Sequence, residues 1–413
     1  MPAAAKFVVV GGSGASTPEL ADAISAWPGG RQRRPPLEVW LHGRSQEKLA
    51  VVGRAFEGRL RIGDVDDTRV HSSTNLEATL DGAAFVLMQA RVGGLDARAF
   101  DETFPRRHGL PGEETMGPGG FANALRTVPA LRPLWAAIAR LAPGAAVIDL
   151  TNPAGIVLAA AVREFGIDAV EVCDSPIALI EAVAARLQRP RSEVASRYVG
   201  ANHLGWWVPD RTGDLESVAD LASGFTAEEV ASQGALPGPY VRYVLAPERV
   251  LEAQQGARTR AEQLMDLERA MLASYAESVD ADRSSSPRRG AVWYAKAVLP
   301  YVDAVIHGST DPMVVGRVVD ERPYGIPPGV VLERAVTITA GRGPALNVPA
   351  PPLPSLPSEV LRGHLEYESL TIEALATGAS RQALERALAA NPMVPSLDRA
   401  AGLVDEILTR GPR

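Results

Sequence analysis

The stretch KFVVVGGSGASTPELADAI, residues 6–24, constrains the fold of this chain more than any other. An apolar, β-branched run passes into a glycine-rich turn, and the turn passes into a helix with Pro18 near its start and Glu19 in its first turn. Strand, glycine turn and helix N-terminus together are typical of an anion cradle, because glycines let the backbone approach a ligand and the helix dipole favours negative charge. As a bare pattern it is weak, since Thr17 stands where a dinucleotide fingerprint has its third glycine.

Apolar segments alternate with helical segments through the first half of the chain. Further strands are predicted within residues 37–44, 82–91, 144–155 and 169–175. Near-continuous apolar strands separated by helices predict a parallel sheet that is covered on both faces.

The alternation ends near residue 195. Helical sequence follows over 226–280, then a strand or hairpin in GVVLERAVTITA (329–340) and terminal helices from about 358. We therefore predict an α/β fold, with a Rossmann-type doubly wound domain over residues 1–195 and an α+β domain over residues 196–413.

Composition and charge exclude several classes of function. The 413 residues carry a formal net charge of -7, and nucleic-acid binders usually carry a basic surplus. One cysteine cannot form an intramolecular disulfide, which fits a reducing cytoplasm. No apolar run approaches the roughly 18 residues of a membrane span, and the N-terminal apolar run is too short for a signal peptide. We expect a cytoplasmic protein that binds neither nucleic acid nor membrane.

Polar clusters follow three of the predicted strands, in QARVGG (89–94), TNPAG (151–155) and CDSP (173–176). Ligands collect at the carboxyl ends of such strands. Cys173 is the only cysteine, and His203 follows in GANHLGWWV. Either residue alone is more often structural, but together a thiolate and an imidazole suit a metal such as Mn, Fe, Co, Ni or Zn. Two protein ligands are too few for a closed zinc site and suit an open catalytic one.

The chain resembles the family 4 glycoside hydrolases, which are NAD- and metal-dependent glycosidases that include 6-phospho-β-glucosidases. The resemblance rests on VVVGGSGASTPEL, FVLMQARVGGLDAR, ETMGPGGFANALRTVP, TNPAGIV, VCDSPI, GANHLGW, PGPYVRY and RRGAVWYA, and it extends from residue 6 to residue 409. It implies the architecture of lactate and malate dehydrogenases, in which a Rossmann-type domain precedes an α+β domain.

The resemblance also implies redox-assisted cleavage of an O-glycosidic bond. Bound NAD removes hydride from C3 of the sugar, the ketone acidifies the C2 proton, and a base removes that proton while the C1 leaving group departs. Water then adds and the hydride returns. The expected substrate is a 6-phospho-β-glucoside. Alternatives are a 6-phospho-α-glucoside, an unphosphorylated glycoside, a hydroxy-acid dehydrogenase reaction, or a non-catalytic sugar-nucleotide sensor. We expect a homodimer or homotetramer.

Matching positions imply the roles of five residues. Cys173 and His203 match the metal ligands, with manganese as the expected metal. Tyr240 in GPYVRY matches the C2 base, and Tyr243 is the nearby alternative. Asp174 matches a proposed acid of the phospho-α-glucosidase branch, whereas the phospho-β branch usually has Asn there.

Other matching positions imply contacts with the sugar and the cofactor. Arg91 and Asn152 match sugar-contacting positions, and Arg289 in RRGA matches a position associated with the substrate phosphate. The expected cofactor-binding residues are Gly11, Gly12, Ser13, Gly14, Ser16, Thr17, Arg44, Gln89 and Asn152.

The end of the second strand departs from the NAD pattern. An acid there normally holds the ribose 2′-hydroxyl, but this chain has Gly43 followed by Arg44. An arginine at this place either accommodates a 2′-phosphate or stacks on adenine. The sequence therefore leaves both NAD and NADP open.

Overall fold

The computed structural model describes residues 4–277, 287–341, 343–345 and 348–412. The strands are β1 (Ala5–Val10), β2 (Leu37–His42), β3 (Thr68–Ser73), β4 (Phe85–Met88), β5 (Ala146–Asp149), β6 (Ala169–Glu171), β7 (Tyr198–Ala201), β8 (Leu204–Trp207), β9 (Leu236–Pro237), β10 (Ser309–Val319), β11 (Val330–Thr339) and β12 (Gly343–Ala345).

The helices of the first half are α1 (Pro18–Ser25), α2 (Gln46–Ile62), α3 (Leu76–Leu80), α4 (Gly94–Arg107), α5 (Gly117–Leu141), α6 (Ala154–Phe165), α7 (Asp174–Leu187) and α8 (Arg191–Ala195). Those of the second half are α9 (Asp214–Val218), α10 (Ala227–Gln233), α11 (Arg242–Leu245), α12 (Pro247–Gln254), α13 (Arg260–Glu277), α14 (Leu299–His307), α15 (Ser355–Ala376), α16 (Arg381–Ala389) and α17 (Leu397–Arg410). A π-helical turn, Tyr294–Val298, leads into α14.

The described strands form one sheet of twelve strands. Its parallel part has the order β3-β2-β1-β4-β5-β6, which is the doubly wound Rossmann order. Strands β10, β11, β7, β8 and β9 extend the sheet beyond β6 in antiparallel fashion, and β12 pairs with β11. The predicted α/β fold with a doubly wound sheet is confirmed, and the second half adds strands to the same sheet.

Both faces of the parallel sheet are buried, as the apolar strands predict. Val8 and Val10 of β1 enter one core, and Phe7 and Val9 enter the other. This alternation follows from the two-residue period of a strand. Residues of α15–α17 pack in the first core with the N-terminal strands, including Tyr367. The division near residue 195 stays a prediction, since the sheet and this core both extend across it.

The predicted elements agree with the observed ones in type and order. Each predicted strand of the first half contains an observed strand, and residues 329–340 contain β11. The terminal helices begin at Ser355, three residues before the predicted start. Among the described helices, none has the length and apolar character needed to cross a membrane.

Candidate active site

The carboxyl ends of the parallel strands surround one cleft of about 590 Å³. The predicted site residues on its wall are Gly11, Ser13, Gly14, Ser16, Arg44, Gln89, Arg91, Asn152, Cys173, Asp174, His203 and Arg289. Three further predicted residues, Gly12, Thr17 and Tyr240, are not on this wall. The wall also contains Glu114, Asn202, Glu268, Trp293 and Tyr294, which the sequence analysis did not single out.

The glycine turn is packed tightly between neighbouring strand ends. The backbone N–H groups of Gly11 and Gly12 both donate to the carbonyl of His42, at 3.1 and 2.8 Å. Gly11 has φ +88°, and a Cβ there would lie 2.7 Å from the carbonyl oxygen of Gln89. A Cβ at Gly12 would lie 2.9 Å from the Cα of Leu41. Larger residues would push the turn away from the sheet and into the cleft, so these glycines keep the cradle open.

Gln89 and Thr17 brace this turn. The Gln89 side-chain amide donates to the Thr17 hydroxyl at 3.1 Å, and its oxygen accepts a hydrogen bond from the Tyr294 hydroxyl at 2.7 Å. Thr17 is fully buried. The third position of the fingerprint therefore holds a side chain that fastens the turn to β4. The contacts of Gln89 and Thr17 with a cofactor stay predictions.

Cys173 and His203 come together although they are thirty residues apart. Cys173 is the N-cap residue of α7, just after β6. His203 is the second residue of the two-residue turn between β7 and β8 and has φ +67°. Both side chains lie on the same part of the cleft wall, where the Cys173 sulfur is near enough to raise the pKa of His203. A non-glycine residue in the left-handed region carries strain, which is common at functional sites.

Glu113 lies beside the imidazole of His203. One Glu113 oxygen accepts the backbone N–H groups of Thr115 and Met116, each at 2.6 Å, and the other lies 3.7 Å from Nδ1 of His203. Burial lowers the pKa of His203, but contact with Cys173 and Glu113 outweighs it and raises that pKa well above its usual value. No spacing or motif in the chain predicts that Glu113 and His203 are neighbours.

The pair of donors fits an open metal site. No group of three or more His, Cys, Asp or Glu side chains within the described ranges is arranged to hold a metal ion. The Cys173 sulfur and the His203 imidazole are two adjacent soft-to-borderline donors, and Nδ1 of His203 and Oδ1 of Asn202 are buried without a hydrogen-bond partner. A manganese or similar ion held by these two side chains would need oxygen ligands from substrate or water to complete its shell.

Tyr240 contacts His203 by ring stacking. Its phenol ring stacks on the imidazole of His203, with centroids 4.0 Å apart, and Tyr243 stacks behind it at 6.0 Å. Positive charge on His203 lowers the pKa of Tyr240, but burial and the negative charges of Glu113 and Cys173 raise it above its usual value overall. Tyr240 therefore needs further positive charge nearby to act as a base near neutral pH.

Glu114 joins the predicted sugar-contacting residues. It pairs with Arg91, forms an ion pair with Arg98 at 2.6 Å, and accepts a hydrogen bond from the Asn152 amide at 3.3 Å. Burial would raise the pKa of Glu114, but the two guanidinium groups outweigh it and hold the pKa at about 2. The carboxylate therefore stays charged and orients Arg91 and Asn152.

Arg289 contributes a further positive charge to the same wall. Burial lowers its pKa, and the charges of Arg91 and Arg98 lower it further. Its guanidinium lies 5.1 Å from the Trp293 ring centroid, and no ion pair between described residues includes it. Glu19 of α1 fixes the segment by accepting the Arg289 backbone N–H at 2.8 Å. The charges of Glu114 and Glu268 act on Arg289 without forming an ion pair with it, so its guanidinium can still form one with an anionic group of a ligand.

A row of buried carboxyl groups crosses the sheet beside the Cys173–His203 pair. Asp149 is in register with Glu171, and both Glu171 and Glu333 are in register with Gly316. Burial raises the pKa of Asp149 and of Glu333 to about 7, and it raises that of Glu171 well above the usual value. The row was not predicted, although an acid inside an apolar strand is a signal that could have indicated it. Their partial charge favours a cation in the neighbouring cleft.

Two family models match consecutive parts of the chain. The family 4 glycosyl hydrolase model matches residues 7–189, and the model of the family 4 glycosyl hydrolase C-terminal domain matches residues 198–394. The chain belongs to family 4 of the glycosyl hydrolases. The resemblance found in its motifs is confirmed, and so is its class as an enzyme that hydrolyses O-glycosidic bonds.

Individual relatives agree over nearly the whole chain. A probable 6-phospho-beta-glucosidase of Bacillus subtilis is 28% identical, and the match covers 98% of this chain and 95% of the relative. A structure of the 6-phospho-beta glucosidase of Thermotoga maritima with manganese, NAD+ and glucose-6-phosphate is 25% identical, with a TM-score of 0.83 and coverage of 98% and 97%.

The fold is also shared with a dehydrogenase. A lactate dehydrogenase of Trichomonas vaginalis superimposes with a TM-score of 0.56 over 91% of this chain and 99% of its own, at 11% identity. This confirms the predicted architectural likeness to lactate and malate dehydrogenases. At this identity the likeness concerns the fold alone.

Proposed function

We propose that this family 4 enzyme hydrolyses 6-phospho-β-glucosides with a bound nicotinamide cofactor and a divalent metal, with manganese as the expected ion. One observation carries the proposal: a glycine-turn cradle, the Cys173–His203 pair and Arg289, which forms no ion pair with a described residue, all face one cleft. A cradle for a dinucleotide, a soft metal-binding pair and a cation for an anionic substituent are the parts that this reaction requires.

Comparison with the relatives supports the cofactor, the metal and the substrate class. The Bacillus subtilis relative carries the name of a probable 6-phospho-beta-glucosidase, and the Thermotoga maritima structure contains manganese, NAD+ and glucose-6-phosphate. The residues that we assign to each ligand remain part of the proposal.

The side chains of this chain have distinct tasks in the reaction. When bound, the cofactor supplies a hydride acceptor and donor at C3, and the metal supplies Lewis acidity at the sugar oxygens. Cys173 and His203 hold the metal, with Asn202 beside them on the wall. Tyr240 takes the C2 proton, and its ring stacks on His203, whose positive charge favours the ionised form of the phenol.

Arg91, Asn152 and Arg289 bind the sugar. Glu114 orients the first two by an ion pair and a hydrogen bond, which reduces the conformational freedom that they lose when substrate binds. Arg289 binds the 6-phosphate, because a guanidinium that has no carboxylate partner gains most from a phosphate. Asp174, at the first position of α7, serves as proton donor to the leaving group.

A 6-phospho-α-glucoside is the second candidate substrate. The observation that favours it is Asp174, which lies on the cleft wall with its carboxylate 3.9 Å from the Cys173 sulfur. The resemblance places an aspartate at this position in the phospho-α branch of the family. A hydroxy-acid dehydrogenase reaction has less support, since those enzymes need no Cys–His pair.

The test is hydrolysis of a panel of p-nitrophenyl glucosides. The panel contains both anomers, each with and without a 6-phosphate, assayed with Mn²⁺, a reductant and either NAD+ or NADP+. We expect turnover of the phosphorylated β-anomer and little turnover of unphosphorylated sugars. Turnover of the α-anomer alone would select the second candidate. Net formation of reduced cofactor from hydroxy acids would contradict both.

We further propose that the enzyme works in the cytoplasm as a homodimer or homotetramer. The single cysteine, Cys173, and the expected intracellular supply of NAD support the location. Light scattering on the purified protein measures the mass of the assembly against the 43.7 kDa of one chain. Cell fractionation tests the location.

We also propose that residues 1–195 and 196–413 act as cofactor-binding and substrate-binding domains. The matched ranges of the two family models lie on either side of this boundary. Limited proteolysis tests the division. Cleavage confined to the region near residue 195 supports it, and resistance there with cleavage elsewhere argues against it.

A further inference from the structure

The end of β2 lacks room for the acid that would hold a ribose 2′-hydroxyl. A Cβ at Gly43 would lie 2.8 Å from the hydroxyl oxygen of Ser13 and 2.9 Å from the Cβ of Ser13. Real Cβ atoms do not approach other atoms so closely, and the Ser13 Cβ belongs to the cradle itself. Any side chain at position 43 would therefore displace the glycine turn, and the next position in the chain is Arg44.

Arg44 and Lys48 give this end of the cleft a positive charge. The wall residues contributed by the end of β2 and the start of α2 are His42, Gly43, Arg44 and Lys48, and they include no carboxylate. Arg44 and Lys48 are both exposed, and no ion pair within the described ranges includes either side chain. Their charges are therefore free to pair with a ligand.

The start of α2 holds these two cations together. Ser45 caps the helix, and its hydroxyl oxygen accepts the backbone N–H of Lys48 at 3.2 Å. Arg44 immediately precedes the cap, and Lys48 is in the first turn, where the helix dipole adds positive potential. The serine hydroxyl can still donate its own hydrogen to a ligand oxygen.

We propose that Arg44, Lys48 and Ser45 form a 2′-phosphate subsite and that the cofactor of this chain is NADP. The inference rests on the proposed function for the presence of a nicotinamide cofactor, and it adds the identity of that cofactor. The chemistry at C3 is the same with either cofactor, because the 2′-phosphate takes no part in removing the hydride or in returning it. A guanidinium and an ammonium facing one phosphate form charge-assisted hydrogen bonds.

Calorimetric titration of NAD+ and NADP+ into the purified protein tests the proposal. We expect NADP+ to bind at least about tenfold more tightly than NAD+, since hydrogen bonds to charged groups are the strong ones. Arg44→Ala should remove most of this difference, and Lys48→Ala should reduce it severalfold. Arg44→Asp should reverse the preference, because a carboxylate repels the phosphate and accepts from the 2′-hydroxyl. Arg54→Ala, on the exposed face of α2 and away from the cleft wall, is the matched control.

Binding of adenosine fragments tests whether the preference for NADP+ comes from the 2′-phosphate. Adenosine 2′,5′-bisphosphate should bind more tightly than 5′-AMP, and Arg44→Ala should equalise the two, without any involvement of the nicotinamide or of catalysis. Equal or tighter binding of NAD+ by the unmodified protein would overturn the 2′-phosphate subsite and leave the proposed function intact. Failure to bind either dinucleotide would overturn both. Circular dichroism of each variant verifies that it is folded.

Discussion

The imidazole of His203 and the phenol ring of Tyr240 stack with centroids 4.0 Å apart and planes 9° apart. His203 comes from the turn between β7 and β8, and Tyr240 follows β9, so the contact joins two places in the second half of the sheet. The stacking puts the proposed C2 base in direct contact with a proposed metal ligand. The proposed base thus lies where positive charge on His203 lowers the cost of ionising it.

Replacing Tyr240 by Phe should stop exchange of the C2 proton while cofactor binding is retained. Phenylalanine keeps the ring that stacks on His203 and removes only the hydroxyl, so the fold and the metal pair should persist. The measurement is incorporation of deuterium at C2 from D₂O, followed by NMR. Tyr243→Phe is the matched control, because Tyr243 stacks on Tyr240 at 6.0 Å without contacting His203. If the Tyr243 variant lost exchange instead, the base would be assigned to the wrong tyrosine.

His203→Asn should abolish tight binding of Mn²⁺ and leave the fold intact. Asparagine tolerates the left-handed backbone at position 203, where φ is +67°. The variant therefore removes the imidazole without adding backbone strain. Binding is measured from the electron paramagnetic resonance signal of free Mn²⁺. Cys173→Ser should weaken binding as well, since a neutral hydroxyl is a poorer ligand than a thiolate. Unchanged affinity in both variants would refute the metal site.

Glu113→Gln should lower Mn²⁺ affinity by about tenfold to a hundredfold, the range typical of carboxylates that orient a ligating histidine. The neutral amide can still accept the two backbone N–H groups that anchor position 113. It cannot attract the N–H of His203 as a carboxylate does. We therefore expect the affinity to fall without a change in thermal unfolding. Glu406→Gln is the control, because it alters a second histidine–carboxylate pair, with His108, outside the cleft wall. A fall of equal size in the control would show that the effect is not specific.

Arg289→Ala should raise KM for a 6-phosphoglucoside by about tenfold or more, with a much smaller effect on an unphosphorylated analogue. The guanidinium forms no ion pair with a described residue, and Glu114, whose charge acts on it, keeps its ion pairs with Arg91 and Arg98. Arg288→Ala is the matched control, since Arg288 is the next residue in the chain and its guanidinium already pairs with Asp22. Equal loss for both substrates would assign Arg289 to the sugar or to the structure of the wall.

Asp149→Asn should raise the free energy of unfolding, relative to the unmodified protein, by more at pH 8 than at pH 4. Burial raises the pKa of Asp149 to about 7. The usual value is about 4, so between these pH values the folded chain binds more protons than the unfolded chain, and stability falls as pH rises through this window. Asparagine removes this loss and keeps the oxygen that accepts from Thr151. Three pKa units correspond to about 4 kcal/mol as an upper limit.

Urea unfolding at both pH values measures this difference. The exposed Asp168→Asn serves as the control, because its carboxylate is solvated in either state. A free energy of unfolding that has the same pH dependence in Asp149→Asn and in the unmodified protein would contradict the raised pKa.

Local sequence patterns were enough to predict the class of fold and many of the residues that line the cleft. Apolar strands of the parallel sheet are buried on both faces, and this burial imposes continuous runs such as residues 7–10 and 85–88. The glycine turn was readable because a positive φ and close backbone packing exclude side chains at Gly11. The single cysteine and the histidine in GANHLGW stood out because few residue types bind metals.

Which side chains meet in the site depends on contacts between segments that are far apart in the chain. Glu113 and Glu114 look alike in the sequence, but one faces His203 and the other joins Arg91 and Asn152. Their roles depend on how α5 begins beneath the strand ends, which no local pattern encodes.

The row of buried carboxyl groups and the position of Arg289 also depend on contacts between distant segments. Asp149, Glu171 and Glu333 become neighbours through strand register across β5, β6, β10 and β11. Arg289 is placed by Glu19, which lies 270 residues earlier in the chain. Backbone sterics and side-chain periodicity act over a few residues, and therefore a sequence predicts elements and residue types. Charge environment and mutual geometry come from contacts between distant segments, so they appear only when the sheet is assembled.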